Sequence, residues 1–181
     1  MTIRKTVISD LDEICRIYSE ARDFMRETGN HKQWTDGHPS RETALRDIQN
    51  EKSYVCMSET EVAAVFYYAV EPDPTYGKID GEWLSNDDYG VVHRIARARN
   101  VTALNPDGST VSIGAFCLDW CLKQCGNLRI DTHEDNAPMR RLLEKMGFSY
   151  CGIIWLENGD ERMAFQKIIA PGTPTVSSRM E

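Results

Sequence analysis

The sequence predicts an α/β fold, more closely a mixed α+β fold, in which helices flank a central mixed sheet that is mostly antiparallel. Two observations predict it. Hydrophobic patterns of period two and period 3.6 alternate along the chain in the order β-α-α-β-β-β-α-β-α-β-β. Some successive strands are joined by short turns, whereas two strand-loop-helix connections return the chain to a parallel neighbour. At 181 residues we expect a single domain over 1–170 and a flexible tail over 171–181.

Each predicted element follows one of these two periods. The predicted strands are Thr2–Val7, Tyr54–Ser58, Val62–Val70, Tyr89–Ala96, Leu128–Thr132, Phe148–Leu156 and Arg162–Ile169. The predicted helices are Ser9–Thr28, Ser40–Asn50, Ile113–Gln124 and a fourth that begins after Asn136 or Ala137 and ends before Gly147. The polar segment Glu59–Glu61 makes the second and third strands an antiparallel hairpin. The strands Tyr89–Ala96 and Leu128–Thr132, which are joined through a helix, should be parallel neighbours.

One long connection, Glu71–Asp88, has no predicted secondary structure. It is broken by prolines and glycines, yet it also carries Tyr76, Trp83 and other large apolar residues. In a compact domain, such a loop favours a binding or lid segment over a passive linker.

The stretch Leu128–Phe148 is the most clearly marked part of the chain. Its hydrophobic pattern changes partway from the period of a strand to that of a helix. Pro138 is tolerated in the first turn of this helix, and Gly147 suits a left-handed residue at its end. Arg140 and Arg141 occupy the first turns, where the helix dipole usually disfavours cations. Either neighbouring acidic residues offset these arginines, or this end of the helix faces an anionic ligand.

Composition narrows the class of function. The formal net charge is −7, which argues against nucleic-acid binding, because that depends on clustered Lys and Arg, and favours a cationic substrate such as an amine. The chain has neither an apolar run long enough to span a bilayer nor an apolar core of a secretory signal at its start. We therefore expect a cytoplasmic protein without a membrane partner.

The six cysteines are expected to be free thiols, since no export signal accompanies them. Cys117, Cys121 and Cys125 fall four apart and so share one face of the third helix. A metal site would need CxxC pairs or histidines at ligand spacing, and neither occurs. We predict a buried helical stripe and no metal.

A candidate anion site lies where the strand Tyr89–Ala96 leads through a polar loop to the helix that begins near Ser112 or Thr110. The segment GSTVSIGA is made largely of small residues, and the N–H groups and the dipole of a helix N-terminus point at the same spot. Many helices begin with Ser and Gly for capping alone. The basic start of the next helix favours the anion site.

These features resemble the GNAT superfamily of acetyl-CoA-dependent N-acetyltransferases, over nearly the whole chain and most clearly from Tyr89 to Ile168. The segment DTHEDNAPMRRLLEKMGF, followed by a strand, is similar to that family's fourth-helix motif, with Asn136 and the Gly147-Phe148 pair in the expected places. The resemblance implies a splayed parallel strand pair and acetyl-CoA as co-substrate. It implies cofactor contacts at Arg94, Ile95, Ala96, Ser109, Thr110, Ser112, Ile113, Gly114, Ala115, Asn136, Met139 and Arg140.

In that resemblance, Arg94–Ala96 would pair through their backbone with the pantetheine arm, and Ser109–Ala115 would surround the pyrophosphate. The sequence departs from the family's Q/R-x-x-G-x-G/A loop, since Ser109 replaces the basic or amide residue and Ser112 the first glycine. Many relatives also carry a tyrosine seven residues after the asparagine, as the acid that protonates the departing thiolate, and here that position is Leu143. The acid is then another group, such as Tyr150 or His133, or solvent.

Two residues are candidates for the base that deprotonates the attacking amine. His93 lies on the strand expected to line the cofactor, and Glu82 lies beside an aromatic residue in the long connection. The alternatives are a hydrogen-bonded sheet histidine and an ordinary surface acid. An aromatic acceptor pocket would suit a cationic amine, although such residues are also common in cores; its candidates are Trp34, Tyr67, Tyr68, Tyr76 and Trp83.

The sequence and the resemblance together predict an N-acetyltransferase. It would move an acetyl group directly from acetyl-CoA to a primary amine of a small molecule or peptide in a ternary complex. The alternative is a catalytically weak acyl-CoA-binding sensor or interaction module with the same fold, suggested by Leu143 and the altered phosphate loop. Members of the family often pair as dimers, so a homodimer is an open alternative to a monomer.

Overall fold

The structure is a computed structural model that describes residues 1–105 and 107–169. The strands are β1 (Thr2–Lys5), β2 (Ser53–Ser58), β3 (Glu61–Val70), β4 (Ile79–Gly81), β5 (Gly90–Arg97), β6 (Ala103–Leu104), β7 (Thr110–Val111), β8 (Asn127–Thr132), β9 (Ser149–Trp155) and β10 (Glu161–Ile168). The helices are α1 (Leu11–Glu27), α2 (Arg41–Gln49), α3 (Ile113–Cys125) and α4 (Ala137–Lys145). Short 3₁₀ helices cover Ile8–Asp10 and Pro74–Gly77.

Eight strands form one sheet in the order β1-β2-β3-β5-β8-β10-β9-β4, and β6 pairs with β7 in a small ribbon. Neighbouring strands are antiparallel except for β5 and β8, which run parallel. The predicted fold class, the hairpin of β2 and β3 and the parallel pair are therefore confirmed. Helices α1 and α3 both pack against β3 and β5.

The structure corrects the prediction that the connection after β3 lacks secondary structure. Residues 79–81 form β4, which pairs with β9 at the edge of the sheet. Gly81 and Gly152 lie opposite each other, and a Cβ atom on Gly81 would stand 2.1 Å from the carbonyl oxygen of Cys151. A strand of three residues is too short to show a hydrophobic period, and this one depends on the close approach of the β4 and β9 backbones. Periodicity therefore did not reveal it.

Side-chain caps explain where three of the helices begin. A side-chain oxygen accepts a backbone N–H in each: Ser40 from Thr43, Ser112 from Ala115 and Asn136 from Met139. Helix α1 is different, because it begins at Leu11 and the predicted start at Ser9 is wrong. The Asp10 carboxylate accepts the N–H of Val7 and closes the preceding 3₁₀ turn instead.

The main core lies between one sheet face and helices α1 and α3, and a smaller cluster around Tyr76 and Ile154 lies on the opposite face. Cys117 and Cys121 are buried in the main core and Cys125 is partly buried, which confirms the predicted stripe.

No helix in the described part of the chain is long and apolar enough to cross a membrane. Among residues 1–105 and 107–169, no group of three or more His, Cys, Asp or Glu side chains could hold a metal ion. The tail predicted over 171–181 lies outside the residues that the structure describes.

Candidate active site

The parallel strands β5 and β8 part soon after they meet. In the part of the chain that the structure describes, they pair only at Gly90 with Leu128 and at Val91 with Arg129. Beyond that point β5 stays paired to β3 on its outer side, and β8 stays paired to β10. The facing inner edges therefore form an open wedge whose backbone N–H and C=O groups are not joined by a ladder between the two strands.

A bulge in β5 lies within this wedge. Tyr67 pairs with His93 and Val65 pairs with Ala96, so Arg94 and Ile95 together stand opposite a single residue of β3. Arg94 has a φ of 51°, a left-handed conformation that is uncommon for a side chain of this size.

Contacts from α2 and β3 hold the bulge in place. The Nε atom of Arg94 donates to the Asp47 carboxylate at 2.9 Å, and its guanidinium lies 4.7 Å from the centre of the Tyr67 ring. Burial raises the pKa of Asp47 above its ordinary value, and the nearby Arg94 opposes that rise. The bulged strand is thus tied to α2 by a largely buried ion pair.

His93 lies between two carboxylates. Its Nε2 atom is 2.8 Å from Oδ2 of Asp73, and its Nδ1 atom is 3.7 Å from Oδ1 of Asp131. Asp73 also accepts hydrogen bonds from the N–H and the hydroxyl of Thr75, at 2.8 and 2.6 Å. Asp131 accepts the hydroxyl proton of Tyr76 at 2.8 Å.

These contacts indicate the ionisation state of Asp73 and which ring nitrogen of His93 carries the proton. Burial alone would raise the pKa of Asp73, but the bonds from His93 and Thr75 outweigh it and hold this pKa at about 2. An ionised carboxylate can only accept hydrogen bonds, so the proton of a neutral His93 ring lies on Nε2. The basic lone pair is then on Nδ1, on the side of Asp131.

A cavity of about 620 Å³ opens onto His93. Its walls come from the loop between α1 and α2, the segment 71–75, β5, β8, the start of α4 and the turn between β9 and β10. Its acidic residues are Asp47, Glu71, Asp73, Asp131 and Asp160, and its basic residues besides histidine are Lys32, Arg46, Arg94 and Arg162. This cavity is the candidate acceptor site.

The predicted aromatic acceptor residues divide between this cavity and other parts of the fold. Trp34 and Tyr67 line the cavity, and Tyr76 is buried beside it, where it bonds Asp131. Tyr68 instead packs in the main core, and Trp83 covers the guanidinium of Arg129.

The structure does not bring the two predicted bases together. Glu82 is exposed and follows β4, and its N–H donates to the carbonyl of Cys151 at the edge of the sheet. Three strands, β8, β10 and β9, separate β4 from β5, and Glu82 does not line the cavity that contains His93.

The acid candidates also lie apart from His93. His133 and Tyr150 line a neighbouring cavity beside the turn between β9 and β10. Burial, together with Arg162, lowers the pKa of His133, and its Nδ1 atom accepts the N–H of Asp135. Leu143 is fully buried in the core.

The predicted cofactor residues form two groups. Arg94, Ile95, Asn136 and Met139 line the cavity, while Ala96 is buried further along β5. The Asn136 amide donates to Gln33 Oε1 at 2.9 Å, which ties the start of α4 to the loop between α1 and α2.

The second group lies around the starts of α3 and α4, outside the lining of this cavity. Ser109 and Thr110 lie at the β6–β7 ribbon, where the Ser109 hydroxyl donates to Asp107. The Ser112 cap satisfies the N–H of Ala115, so Ile113 and Gly114 supply the remaining donors of the first turn. Helix α4 approaches here, since a Cβ atom on Gly114 would stand 2.9 Å from Leu142. At the start of α4, Arg140 donates to the Glu134 carbonyl.

Sequence reasoning missed Asp47, Asp73, Asp131 and Arg162 as site residues. Asp131 occupies the alternate polar positions of β8 together with Asn127 and Arg129, so the strand pattern did not single it out. Asp73 stands between two prolines in a segment without period, and nothing in its neighbourhood pointed to His93 twenty residues later.

Solved structures similar to this chain share its topology. An acetyltransferase of the GNAT family from Streptococcus agalactiae 2603 is 30% identical, with a TM-score of 0.80 over 93% of this chain and 95% of its own. A GNAT-family acetyltransferase from Listeria monocytogenes 4b F2365 is 19% identical, with a TM-score of 0.63 over 93% and 94%. A ribosomal-protein-alanine N-acetyltransferase from Brucella melitensis is 18% identical, with a TM-score of 0.61 over 93% and 100%.

Comparison with protein-family models and with curated protein sequences gives no match. The two more distant structures show the fold alone, whereas the Streptococcus protein combines a high structural similarity with 30% identity along almost the whole of both chains. The chain belongs to the GNAT family of acetyltransferases.

Proposed function

We propose that this acetyltransferase moves an acetyl group from acetyl-CoA to a primary amine, directly and within a ternary complex. The observation that carries the proposal is the position of His93, which lines a cavity close to the point where β5 and β8 separate. A donor in the wedge and an acceptor in the cavity would meet beside this residue.

The backbone supports binding of the donor. The unpaired inner edge of β5 from Arg94 to Ala96 offers N–H and C=O groups to the amide groups of a pantetheine arm. Asn136 and Met139 border the same space from α4. The first N–H groups of α3, at Ile113 and Gly114, suit a pyrophosphate, because the helix dipole adds to them.

The side chains around His93 support the chemistry. His93 Nδ1 accepts a proton from the acceptor ammonium, and the ionised Asp73 stabilises the imidazolium that forms. The free amine attacks the thioester carbonyl and a C–N bond forms. The tetrahedral intermediate loses its second nitrogen proton to solvent, and its collapse breaks the C–S bond to release the amide and the thiolate. Backbone N–H groups of β5 polarise the carbonyl during the attack.

We propose solvent as the source of the proton for the thiolate. Leu143 is a buried aliphatic residue, and the other candidates, His133 and Tyr150, border a different cavity. Glu82 has no part in this scheme because of its distance in the sheet from His93.

The acceptor is the amine of a small molecule or of a peptide N-terminus. The peptide class is suggested by the Brucella relative, whose name describes an enzyme that acts on a ribosomal-protein alanine. The acidic residues around the cavity favour a cationic group in either case.

A thiol-release assay with acetyl-CoA and a panel of amino acids, polyamines and peptide N-termini tests the proposal. We expect His93→Gln to lower kcat roughly 100-fold or more, since a general base contributes that much. The control is His31→Gln, which changes an exposed loop histidine and should leave kcat unchanged.

Three outcomes are informative. Full activity in His93→Gln would contradict the base assignment but not acetyl transfer. Tight binding of CoA without turnover of any amine would favour the second candidate function, an acyl-CoA sensor, which the aliphatic Leu143 suggests. Failure to bind CoA would contradict both.

A further inference from the structure

Arg162 carries a buried positive charge whose one ion pair within the described residues, to Asp160, is long and partly exposed. Arg162 is only 6% exposed, and its Nη1 atom donates to the carbonyl of Glu161 at 2.8 Å. The nearest carboxylate oxygen belongs to Asp160, 3.7 Å from Nη2, and that side chain is 49% exposed and already bonded to Asn158. A guanidinium stays charged at any ordinary pH and has five donors, so most of its capacity is unused here. Burial of such a charge is costly unless an anion is supplied.

The other cations that line the cavity do not share this feature. Arg94 is paired with Asp47 at 2.9 Å. Lys32 and Arg46 are exposed, so water can solvate them. Arg162, which borders both this cavity and the neighbouring one beside His133, is thus the buried cation in the cavity wall that has donors left for a ligand.

Strand register aligns Arg162 with the catalytic cluster. Val91 pairs with Arg129, so two residues further along His93 and Asp131 lie on the same sheet face. Asp131 also pairs with Ala164, and Arg162, two residues earlier in β10, shares that face. Paired strands are about 4.8 Å apart, so at least about 10 Å separates β5 from β10, with β8 between them, beyond the point where β5 and β8 have parted. A small molecule can span that distance.

We infer that the acceptor is an amine that also carries a carboxylate, an amino acid or a similar small molecule, and that Arg162 binds this carboxylate. The inference rests on the proposed acetyl transfer. The ammonium is attracted to the end of the cavity that contains Asp73 and Asp131, and the carboxylate to Arg162, so opposite charges fix the orientation of the acceptor. A peptide N-terminus, or an amine without an acid, would leave the guanidinium with only its long ion pair to Asp160.

The test compares matched acceptors with the unaltered enzyme and acetyl-CoA. Each of alanine, methionine, phenylalanine and lysine is measured as the free amino acid, as its carboxamide and as the decarboxylated amine. We expect kcat/KM for the best free acid to exceed that of its carboxamide roughly 10- to 100-fold, because one charge-assisted interaction is lost. Equal or greater activity with the carboxamides would overturn the inference and leave acetyl transfer in place.

Variants of Arg162 give an independent readout. Arg162→Gln should lower kcat/KM for the acid to about that of the carboxamide, while the carboxamide value stays nearly the same; Arg162→Lys should keep part of the preference. Arg26→Gln, an exposed position on α1, is the control and should keep all of it. An equal loss for acid and carboxamide would indicate a purely structural role and overturn the inference.

Two further results separate possible failures. If Arg162→Gln does not fold, as judged by circular dichroism, the comparison of acid with carboxamide in the unaltered enzyme decides alone. If no amine of any kind is acetylated, the proposed function fails, and the inference fails with it.

Discussion

At the scale of single residues, Asp73 is the group through which pH acts most directly on the proposed site. Its carboxylate accepts hydrogen bonds from His93 and from both donors of Thr75, and these hold its pKa at about 2. An aspartate in an unfolded chain has a pKa of about 3.9. The folded state therefore gains stability from the ionised form, fully above about pH 4, and loses it as pH falls toward 2.

Asp73→Asn should lower the free energy of unfolding by about 2 kcal/mol at pH 7, because the difference between the two pKa values corresponds to that amount. The gap between the variant and the original protein should narrow by about 1 kcal/mol at pH 3, where the unfolded carboxylate is largely protonated. Urea unfolding at pH 7 and pH 3 measures this difference in the free energy of unfolding. Asp87→Asn, at an exposed position, is the control. A gap that does not change with pH would contradict the assignment.

The residue type of His93 and its place on a strand were enough to predict it as a candidate base. They did not predict the two carboxylates that lie beside it. The histidine belongs to the strand that the resemblance associates with the cofactor, and the structure brings it to a cavity. Asp73 and Asp131 approach it from a loop and from the neighbouring strand, and such meetings depend on the strand order. Glu82 was chosen for its aromatic neighbour, but the pairing of β4 with β9 carries it to the far edge of the sheet.

At the scale of elements, α4 has the most clearly defined end. After its last residue, the N–H of Gly147 donates to the carbonyl of Glu144 and the N–H of Phe148 donates to Leu143, each at 3.0 Å. This pair of bonds is the Schellman motif, and it needs a left-handed residue, which Gly147 supplies with a φ of 73°. Phe148 is buried as a result, and β9 follows directly.

Gly147→Ala should destabilise the protein by about 1 kcal/mol, because a side chain disfavours the left-handed conformation even though an added Cβ atom would meet only Lys167 Nζ, at an ordinary contact distance of 3.9 Å. Gly77→Ala is the matched control, since Gly77 has open space and no positive φ, and its effect should stay within about 0.5 kcal/mol. Guanidinium unfolding of the three proteins checks both values. Equal effects at the two positions would argue against strain at Gly147.

The bulge in β5 shows what local patterns leave out. The run YGVVHRIA is typical of a strand in its residue types, yet Arg94 takes a left-handed conformation. Its ion pair with Asp47 joins residues 47 positions apart, and no rule of local sequence contains that contact. The element was predictable, whereas its distortion depends on a partner from α2.

At the scale of the whole molecule, the wedge between β5 and β8 is a cleft that folding leaves in the middle of the sheet. Four strands lie on either side of it: β1, β2, β3 and β5, and then β8, β10, β9 and β4. Within residues 1–105 and 107–169, the two pairs at Gly90 and Val91 are the ones that join the halves through the sheet. A ligand that bridges the wedge should therefore stabilise the whole fold.

CoA at 100 times its Kd should raise the free energy of unfolding by about 2.7 kcal/mol, since it binds the folded state alone. Amide hydrogen exchange should slow along β5 beyond Val91 and at the start of α3, where the proposal puts the pantetheine arm and the pyrophosphate. ADP, which lacks the pantetheine arm, should protect α3 but not β5. Protection confined to a different part of the chain would contradict the proposed donor site.

The amino-acid sequence alone determined the order and type of most elements, the fold class and the family resemblance, because periodicity, caps and turn residues act between near neighbours. The Ser112 and Asn136 caps and the Gly147 helix end were all readable in this way. Tertiary structure decided the rest. The carboxylates beside His93, the buried Arg162 and the wedge arise from strand order and register, which bring together groups that are distant along the chain.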